Sequence, residues 1–397
     1  MYRIFLHLIL TSFISWTVLW GQPSFKAQNY HEEIPFEWVK GKILVPVLIG
    51  GETYQFILDS GGLLMVSERV ASRHGLDTVG TIQVSGINKL SETLHKVRVP
   101  QVSLGTLSFY DYEAIIGPFL QQSPTECLGA DGMIGRDFLK EMIVQYDLAQ
   151  RKIIFTDQLQ RLSLNPLDAT PMKASKGRIP RLTLSSSLGK IKNVAFDSGS
   201  NDLFSWKKSD ASKLVQRGKI ADENVAQLYG IFSVGVGGKL PPEQENYRIK
   251  MDFIQIGRHQ IQNFYTDTGK ASGARVGTEI MKYGIITTDN LNQRFYFSPF
   301  SDGDQAEPKP SLGFGVRVSN QKLIVSYVIK NSPASQEGIT AGVEILQLDG
   351  RSAKAYVADY CKTYREGFSW EESKEVEIVY KNEQGQAQSL TLKPFTL

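Results

Sequence analysis

The chain repeats one of its own patterns at two places. Residues 52–67 read "ETYQFILDSGGLLMVS", and residues 190–205 read "KIKNVAFDSGSNDLFS". In each segment, apolar residues alternate with polar ones, as in a half-buried strand, and lead into an Asp-Ser-Gly triplet that begins at Asp59 or Asp197. One such triplet is common turn chemistry, but two triplets in matched frames indicate a duplicated unit.

A second pair of matching segments lies downstream of the triplets. "MIGRDFLKEMIVQYDLAQRKIIF", from Met133, aligns without a gap with "RVGTEIMKYGIITTDNLNQRFYF", from Arg275. The distance from the triplet acid to the shared glycine is 135 − 59 = 76 residues in the first copy and 277 − 197 = 80 in the second. The copies therefore correspond over their whole length, and we predict units at residues 29–160 and 161–300.

Both units are predicted to be mainly β, because short alternating runs are separated by turn residues. Only "GRDFLKEM" and "GTEIMKYG" have the pattern of brief helices. Each unit also contains a predicted hairpin with a glycine-bearing tip, which lies at Gly86 and Ile87 in the first copy and at Gly237 and Gly238 in the second.

The duplicated acids suggest a catalytic pair. If the units pack as pseudo-twofold mates, Asp59 and Asp197 lie side by side and hold one proton between them, because ionising both is costly. The ionised acid can take a proton from water while the protonated one bonds a substrate carbonyl, so that an amide is hydrolysed without a metal or a covalent intermediate. Small residues beside the acids would admit the backbone or bond across the interface: Ser60, Gly61, Ser198 and Gly199.

These residues resemble the motifs of aspartic proteases of the retropepsin and pepsin type. "FILDSGG" and "VAFDSGS" are similar to that family's apolar-apolar-Asp-Thr/Ser-Gly motif, and "GMIGRDFL" and "ARVGTEIM" to its apolar-apolar-Gly segment. The resemblance covers about residues 40–300. It implies a bilobal acid-protease-type β-barrel fold with Asp59 and Asp197 as the catalytic dyad. It also implies that a peptide binds in extended form between the lobes, beneath the two glycine-tipped hairpins, which act as flaps.

The two copies differ directly after the motif glycine, where the first has Gly62 and the second has Ser200. Only Ser200 has a hydroxyl that could bond the neighbouring acid, so Ser200 is predicted to support the dyad. On this basis we expect Asp59 to be the protonated partner. We also expect Gly62→Ser to shift the acid limb of the pH–activity profile to lower pH.

The C-terminal residues 301–397 are predicted to form a linker and a separate domain. Residues 301–311 are polar and contain proline, as linkers do. Residues 312–397 resemble a PDZ domain in their "LGF", in "SPA" followed by "GI", and in a strand that ends in "LDG". The resemblance implies a groove helix over residues 352–368 and a closing hairpin. It also implies a loop that receives a peptide carboxylate, formed by Leu312, Gly313 and Phe314. Packing against the protease is the alternative role.

The N-terminus has the anatomy of an export signal: one arginine precedes an apolar run over residues 4–20. We predict a signal peptide at residues 1–28, with cleavage after Gly21 or Ala27 favoured over retention as an anchor. Periplasmic, cell-envelope or secreted locations are all compatible with it. We expect no integral membrane span once the signal is removed.

The composition and residue spacing limit the kinds of partner and cofactor that we expect. The net charge of +3 and the lack of a basic run give no reason to expect nucleic-acid binding. The five histidines are scattered without zinc-ligand spacing, so no metal or cofactor is expected. Cys127 and Cys361 lie far apart, and we predict two isolated buried thiols.

Together these features predict an exported aspartic endopeptidase with a peptide or protein substrate and, for the PDZ-like domain, a C-terminal peptide as ligand. Two alternatives stay open. The lobes could form a non-catalytic peptide-binding protein, or the whole chain could serve as an assembly module of the envelope.

Overall fold

The structure is a computed structural model that describes residues 24–85, 91–119, 124–174, 179–232, 240–268, 273–301, 303–306, 310–368, 370–371 and 374–396. It is mainly β, with two similar lobes and a smaller C-terminal unit of strands and helices. The predicted fold class is confirmed in these terms. The assignment of the C-terminal unit as a PDZ domain stays a prediction.

The first lobe is a β structure with three short helices. Its strands are β1 (Ser24–Phe25), β2 (His31–Pro35), β3 (Glu37–Val39), β4 (Lys42–Ile49), β5 (Glu52–Leu58), β6 (Met65–Val66), β7 (Thr78–Ser85), β8 (Ser91–Leu104), β9 (Leu107–Ile116), β10 (Gly132–Ile134), β11 (Ile143–Asp147) and β12 (Lys152–Thr156). Its helices are α1 (Glu68–Arg73), α2 (Pro124–Cys127) and α3 (Arg136–Leu139), of which α3 is the brief helix expected from the sequence.

The second lobe repeats this plan. Its strands are β13 (Ala169–Pro171), β14 (Lys173–Ala174), β15 (Pro180–Ser186), β16 (Gly189–Phe196), β17 (Phe204–Ser205), β18 (Val225–Gly230), β19 (Gln244–Ile256), β20 (His259–Asp267), β21 (Arg275–Val276), β22 (Gly284–Asp289) and β23 (Arg294–Pro299). Helix α4 spans Lys208–Gln216, and 3-10 turns span Leu159–Arg161, Pro166–Asp168, Asp222–Asn224 and Thr278–Lys282. The second predicted brief helix is therefore a 3-10 turn.

One sheet joins the lobes at their base. Its order is β13-β23-β22-β11-β12-β2, so each lobe contributes three of its strands among the described residues. The central strands β11 and β22 are antiparallel, and Gln145 Nε2 donates to Thr287 Oγ1 at 3.0 Å across them. These two residues occupy equivalent positions in the repeat. The local pseudo-twofold axis therefore passes through this sheet, and the apolar cores of the lobes are continuous beside it.

The C-terminal unit has its own apolar core. Its elements are β25 (Phe314–Ser319), β26 (Lys322–Ile329), α5 (Pro333–Gln336), β27 (Glu344–Leu348), β28 (Arg351–Ser352), α6 (Ala353–Ala358), α7 (Tyr360–Glu366), β29 (Val376–Lys381) and β30 (Ala387–Leu392), and β24 (Asp304–Gln305) precedes them. The expected groove helix is thus divided into α6 and α7. Strand β24 pairs with β20, so part of the expected linker belongs to the sheet of the second lobe.

Two structural features attach the C-terminal unit to both lobes. Strand β18, an arm of the second glycine-tipped hairpin, pairs with β26 through residues 228–230 and 327–329. On the other side, a disulfide joins Cys127 in α2 to Cys361 in α7, with the two Cα atoms 4.6 Å apart. The prediction of two isolated thiols is wrong, because folding brings together cysteines that lie 234 residues apart in the sequence.

The first described strand lies within the segment predicted to be a signal peptide. Strand β1 pairs with β9, and the ring of Phe25 stacks on that of Phe109 at 4.6 Å. Cleavage after Ala27 would remove this strand from the sheet, whereas cleavage after Gly21 would leave it in place. Within the described part of the chain, no helix combines the length and apolar character needed to cross a membrane.

Candidate active site

The two Asp-Ser-Gly triplets form equivalent turns at the ends of β5 and β16. Strand β10 runs parallel to β5, and β21 runs parallel to β16. As a result, Asp59 N donates to Ile134 O and Asp197 N donates to Val276 O, both at 2.9 Å. The glycine-containing segment of each repeat therefore holds its own triplet, and both turns face the interface between the lobes.

The triplet serines link the two turns through reciprocal hydrogen bonds. Ser60 Oγ donates to Phe196 O at 3.1 Å and accepts from Ser198 N at 3.0 Å. Ser198 Oγ donates to Leu58 O at 2.8 Å and accepts from Ser60 N at 2.9 Å. Both serines are buried. Each hydroxyl thus satisfies one donor and one acceptor of the opposite lobe.

We expect Ser60→Ala to lower the free energy of unfolding by roughly 2–4 kcal/mol, because it leaves a buried N–H and a buried carbonyl without partners. The matched control is Ser205→Ala, since the Ser205 hydroxyl is also buried but has no hydrogen-bond partner among the described residues. Thermal or urea unfolding measures both variants. A Ser60→Ala protein no less stable than Ser205→Ala would contradict the importance of these bonds.

The same turns bring the two acids together. Gly61 N donates to Asp59 Oδ1 at 2.8 Å, and Gly199 N donates to Asp197 Oδ1 at 3.0 Å. A Cβ on Gly61 would lie 2.9 Å from Asp197 Oδ1, and one on Gly199 would lie 2.3 Å from Asp59 Cγ. The glycines therefore allow each turn to approach the carboxyl group of the opposite lobe.

The two acids have different surroundings. Burial and the adjacent Asp197 charge raise the pKa of Asp59 to about 7, and the charge of Lys42 opposes this rise. Asp197 instead forms an ion pair with Arg275, whose Nη1 lies 2.6 Å from Asp197 Oδ2. Burial and the Asp197 charge thus favour the protonated form of Asp59, whereas Asp197 is the acid in the ion pair.

The protonation of Asp59 stays a prediction, but the expected cause, a bond from the Ser200 hydroxyl to Asp197, is not the contact that the structure has. Ser200 acts through its main chain: its N donates to Asp197 O at 3.0 Å, and its carbonyl accepts from Thr278 N. The partner of the Asp197 side chain is Arg275 rather than the Ser200 hydroxyl. A Cβ on Gly62 would lie 2.6 Å from Met133 Sδ, so a serine there requires Met133 to move.

A half-buried lysine completes the charged site. Lys42 begins β4, and its Nζ donates to Gly199 O. Burial lowers the pKa of Lys42, while Asp59, Asp197 and Asp202 oppose this effect. The Lys42 ammonium therefore provides positive charge beside the two acids without pairing with either through a direct hydrogen bond.

Part of the first lobe is similar to a known protein family. A family model described as aspartyl protease matches residues 45–138. This match supports a protease-like function.

Two solved structures resemble the chain at low identity. Basic 7S globulin from soybean is 11% identical, with coverage of 68% of this chain and 94% of that one and a TM-score of 0.39. An aspartic proteinase from Irpex lacteus is 13% identical, with coverage of 69% and 98% and a TM-score of 0.42. Among curated proteins, none matches the chain.

Other predicted site residues lie away from the dyad or outside the described part of the chain. The hairpin tips at Gly86, Ile87, Gly237 and Gly238 lie outside it. In the C-terminal unit, Leu312 and Phe314 are buried in the core, and Gly313 N donates to Ser311 Oγ at 3.0 Å. A peptide carboxylate would have to displace that bond.

Two basic residues of the site, Lys42 and Arg275, were not predicted from the sequence. A signal for Arg275 was present, because "GMIG" in the first copy corresponds to "ARVG" in the second, which replaces Met133 by an arginine. No metal-binding group of three or more His, Cys, Asp or Glu side chains occurs among the described residues.

Proposed function

We propose that this chain is an aspartic endopeptidase that hydrolyses peptide bonds with Asp59, Asp197 and a water molecule. The observation that carries the proposal is the close approach of the two turns, in which a Cβ on Gly61 would lie 2.9 Å from Asp197 Oδ1 and one on Gly199 would lie against the carboxyl group of Asp59. One acid that keeps its proton and one that is ionised provide the general acid and the general base of a single site.

The proposed reaction conserves atoms and protons in two steps. The ionised Asp197 takes a proton from water as the water oxygen forms a bond to the scissile carbonyl carbon, while Asp59 gives its proton to the carbonyl oxygen. Proton transfer from Asp197 to the amide nitrogen then accompanies cleavage of the C–N bond, and Asp59 recovers its proton. The products are a carboxylic acid and an amine, and both acids return to their starting states.

The proposal is tested by digestion of a peptide library by the wild type from acid to neutral pH, with product identification by mass spectrometry. We expect internal cleavage that a statine-type transition-state mimic suppresses. Asp210→Asn, which changes an exposed acid on α4, serves as the control and should cleave as the wild type does. The absence of any internal cleavage over this pH range would refute the proposal.

Lys42→Met should move the basic limb of the kcat/KM profile to higher pH. Activity requires the proton on Asp59, so it falls as pH rises through the Asp59 pKa of about 7. The Lys42 charge lowers that pKa, so its removal leaves Asp59 protonated at higher pH. The exposed Lys190→Met is the control. An identical basic limb in wild type and Lys42→Met would contradict this role of Lys42.

We also propose that the protein is exported. Two features support this: the apolar run over residues 4–20 and the disulfide between Cys127 and Cys361, since disulfides persist mainly in oxidising compartments. Fractionation of the native host, with detection of the mature N-terminus, tests the proposal. Recovery of the full-length, reduced protein in the cytosol would contradict it.

For the C-terminal unit, we propose peptide binding at the edge of β25. Among the described residues this strand pairs only with β26, so its other edge is available for an added strand. Fluorescence polarisation with a library of C-terminal peptides tests this, and the same peptides with amidated ends are the control. Equal binding of free and amidated peptides would rule out carboxylate recognition.

One observation favours the alternative of a non-catalytic peptide-binding protein. In the structure, Arg275 bonds Asp197 Oδ2, an oxygen that the proposed general base needs. A protein that never releases this bond would bind a peptide between its lobes without cleaving it.

A further inference from the structure

A partly buried arginine lies next to Asp197. Arg275 lies in β21, its side chain is 15% exposed, and its Nη1 lies 2.6 Å from Asp197 Oδ2. Its Nε is buried and has no hydrogen-bond partner among the described residues. A guanidinium has five N–H donors, so Arg275 retains donor capacity beyond the bond to Asp197.

The two sides of the dyad differ in chemistry. Met133 occupies the position in the first lobe that Arg275 occupies in the second, as the gap-free alignment of the repeat shows. The Met133 Sδ lies 2.6 Å, and Asp59 Oδ2 3.0 Å, from the point that a Cβ on Gly62 would occupy. A thioether therefore borders the dyad beside Asp59, whereas a guanidinium borders it beside Asp197.

Basic side chains lie around the dyad. Arg275 pairs with Asp197, the charge of Arg181 interacts with both of these residues, and Lys42 Nζ donates to Gly199 O. A carboxylate that enters next to these basic side chains would gain favourable charge interactions.

We propose that Arg275 binds an acidic side chain of the substrate next to the scissile bond, on the Asp197 side, while Met133 contacts an apolar side chain on the Asp59 side. This inference rests on the proposed function. In the free protein Arg275 occupies Asp197 Oδ2. A substrate carboxylate accepts the guanidinium bonds in its place and releases Oδ2 to take a proton from water. Recognition of the acidic residue thus also frees the general base.

The test compares peptides that differ only in Glu or Gln beside the scissile bond, with all C-termini amidated so that only the side-chain carboxylate varies. We expect the kcat/KM of the wild type to be at least about tenfold higher for the Glu peptide than for the Gln peptide, because only Glu forms a charged hydrogen-bonded pair with Arg275. Arg275→Met, which restores the residue of the first lobe, should reduce the ratio to about one. Arg217→Met removes an exposed arginine and should retain the ratio.

Binding separates the failure of this inference from the failure of the proposed function. The same Glu and Gln peptides, with the scissile bond replaced by a hydroxyethylene group, are titrated into the wild type by calorimetry. If the Glu form binds tenfold more tightly than the Gln form but no peptide is cleaved, the endopeptidase proposal is refuted and the Arg275 site is still supported. Cleavage with equal kcat/KM and equal Kd for Glu and Gln would overturn the Arg275 site alone. This comparison needs only the wild type, so it holds even if Arg275→Met fails to fold.

Discussion

Asp59→Asn should be more stable than the wild type at about pH 8 and should lose this advantage at about pH 4. The pKa of Asp59 is about 7 in the folded chain, whereas the ordinary pKa of an aspartic acid is 3.8. Below the lower value, folded and unfolded chains both carry the proton. Between the two values only the folded chain retains it, so the stability of the wild type falls as pH rises through this window.

The size of this effect follows from the width of the window. One pKa unit corresponds to about 1.4 kcal/mol, so the wild type loses up to roughly 4 kcal/mol of stability between the two pKa values. Asparagine is neutral at every pH, and its Oδ1 can still accept from Gly61 N. The gain at neutral pH should therefore appear as a melting temperature several degrees higher.

Thermal unfolding of both proteins at the two pH values measures this prediction. Asp210→Asn removes an exposed carboxylate and should show no such pH-dependent difference. If Asp59→Asn gives the same small change at both pH values, Asp59 is not the acid that keeps a proton at the interface.

Loss of the disulfide should destabilise the protein by roughly 3–5 kcal/mol, because Cys127 and Cys361 close a loop with a sequence separation of 234 residues. The bond also holds α7 against the first lobe, where Tyr364 packs on the cluster that contains Leu44 and Leu128. Without it, the C-terminal unit is attached mainly through the pairing of β18 with β26.

A double Cys127→Ala and Cys361→Ala variant and the reduced wild type should melt at similar, lower temperatures than the oxidised wild type. Reductant should not change the melting temperature of the double variant, so this variant controls for effects of the reductant other than loss of the disulfide. Equal melting temperatures for oxidised and reduced wild type would show that the disulfide does not contribute to stability.

The placement of the two acids could be predicted because each acid occurs at the same position of a repeated motif. A strand, an acid and two small residues recur at Asp59 and Asp197, and the parallel pairing of β10 with β5 and of β21 with β16 follows from the second matched segment. Local pattern and duplication together determine these turns. The fold class and the reciprocal contacts of Ser60 and Ser198 were accessible from the sequence for the same reason.

The remaining features depend on contacts that no local pattern encodes. The disulfide joins residues from different units, and cysteine spacing does not reveal such a pair. The pairing of β18 with β26 joins two edges whose partners are set by domain packing. Arg275 stands where the motif calls for an apolar residue, and its role is visible only once Asp197 lies beside it.

The most direct test of the dyad is the kcat of four proteins on the best library peptide: wild type, Asp59→Asn, Asp197→Asn and the double variant. Groups that act as one unit lose most of their effect when either is removed. We therefore expect each single substitution to lower kcat at least about a thousandfold, and the double variant to be no slower than the singles. Cleavage at the wild-type rate by either single variant would contradict the assignment of Asp59 and Asp197 as the catalytic pair.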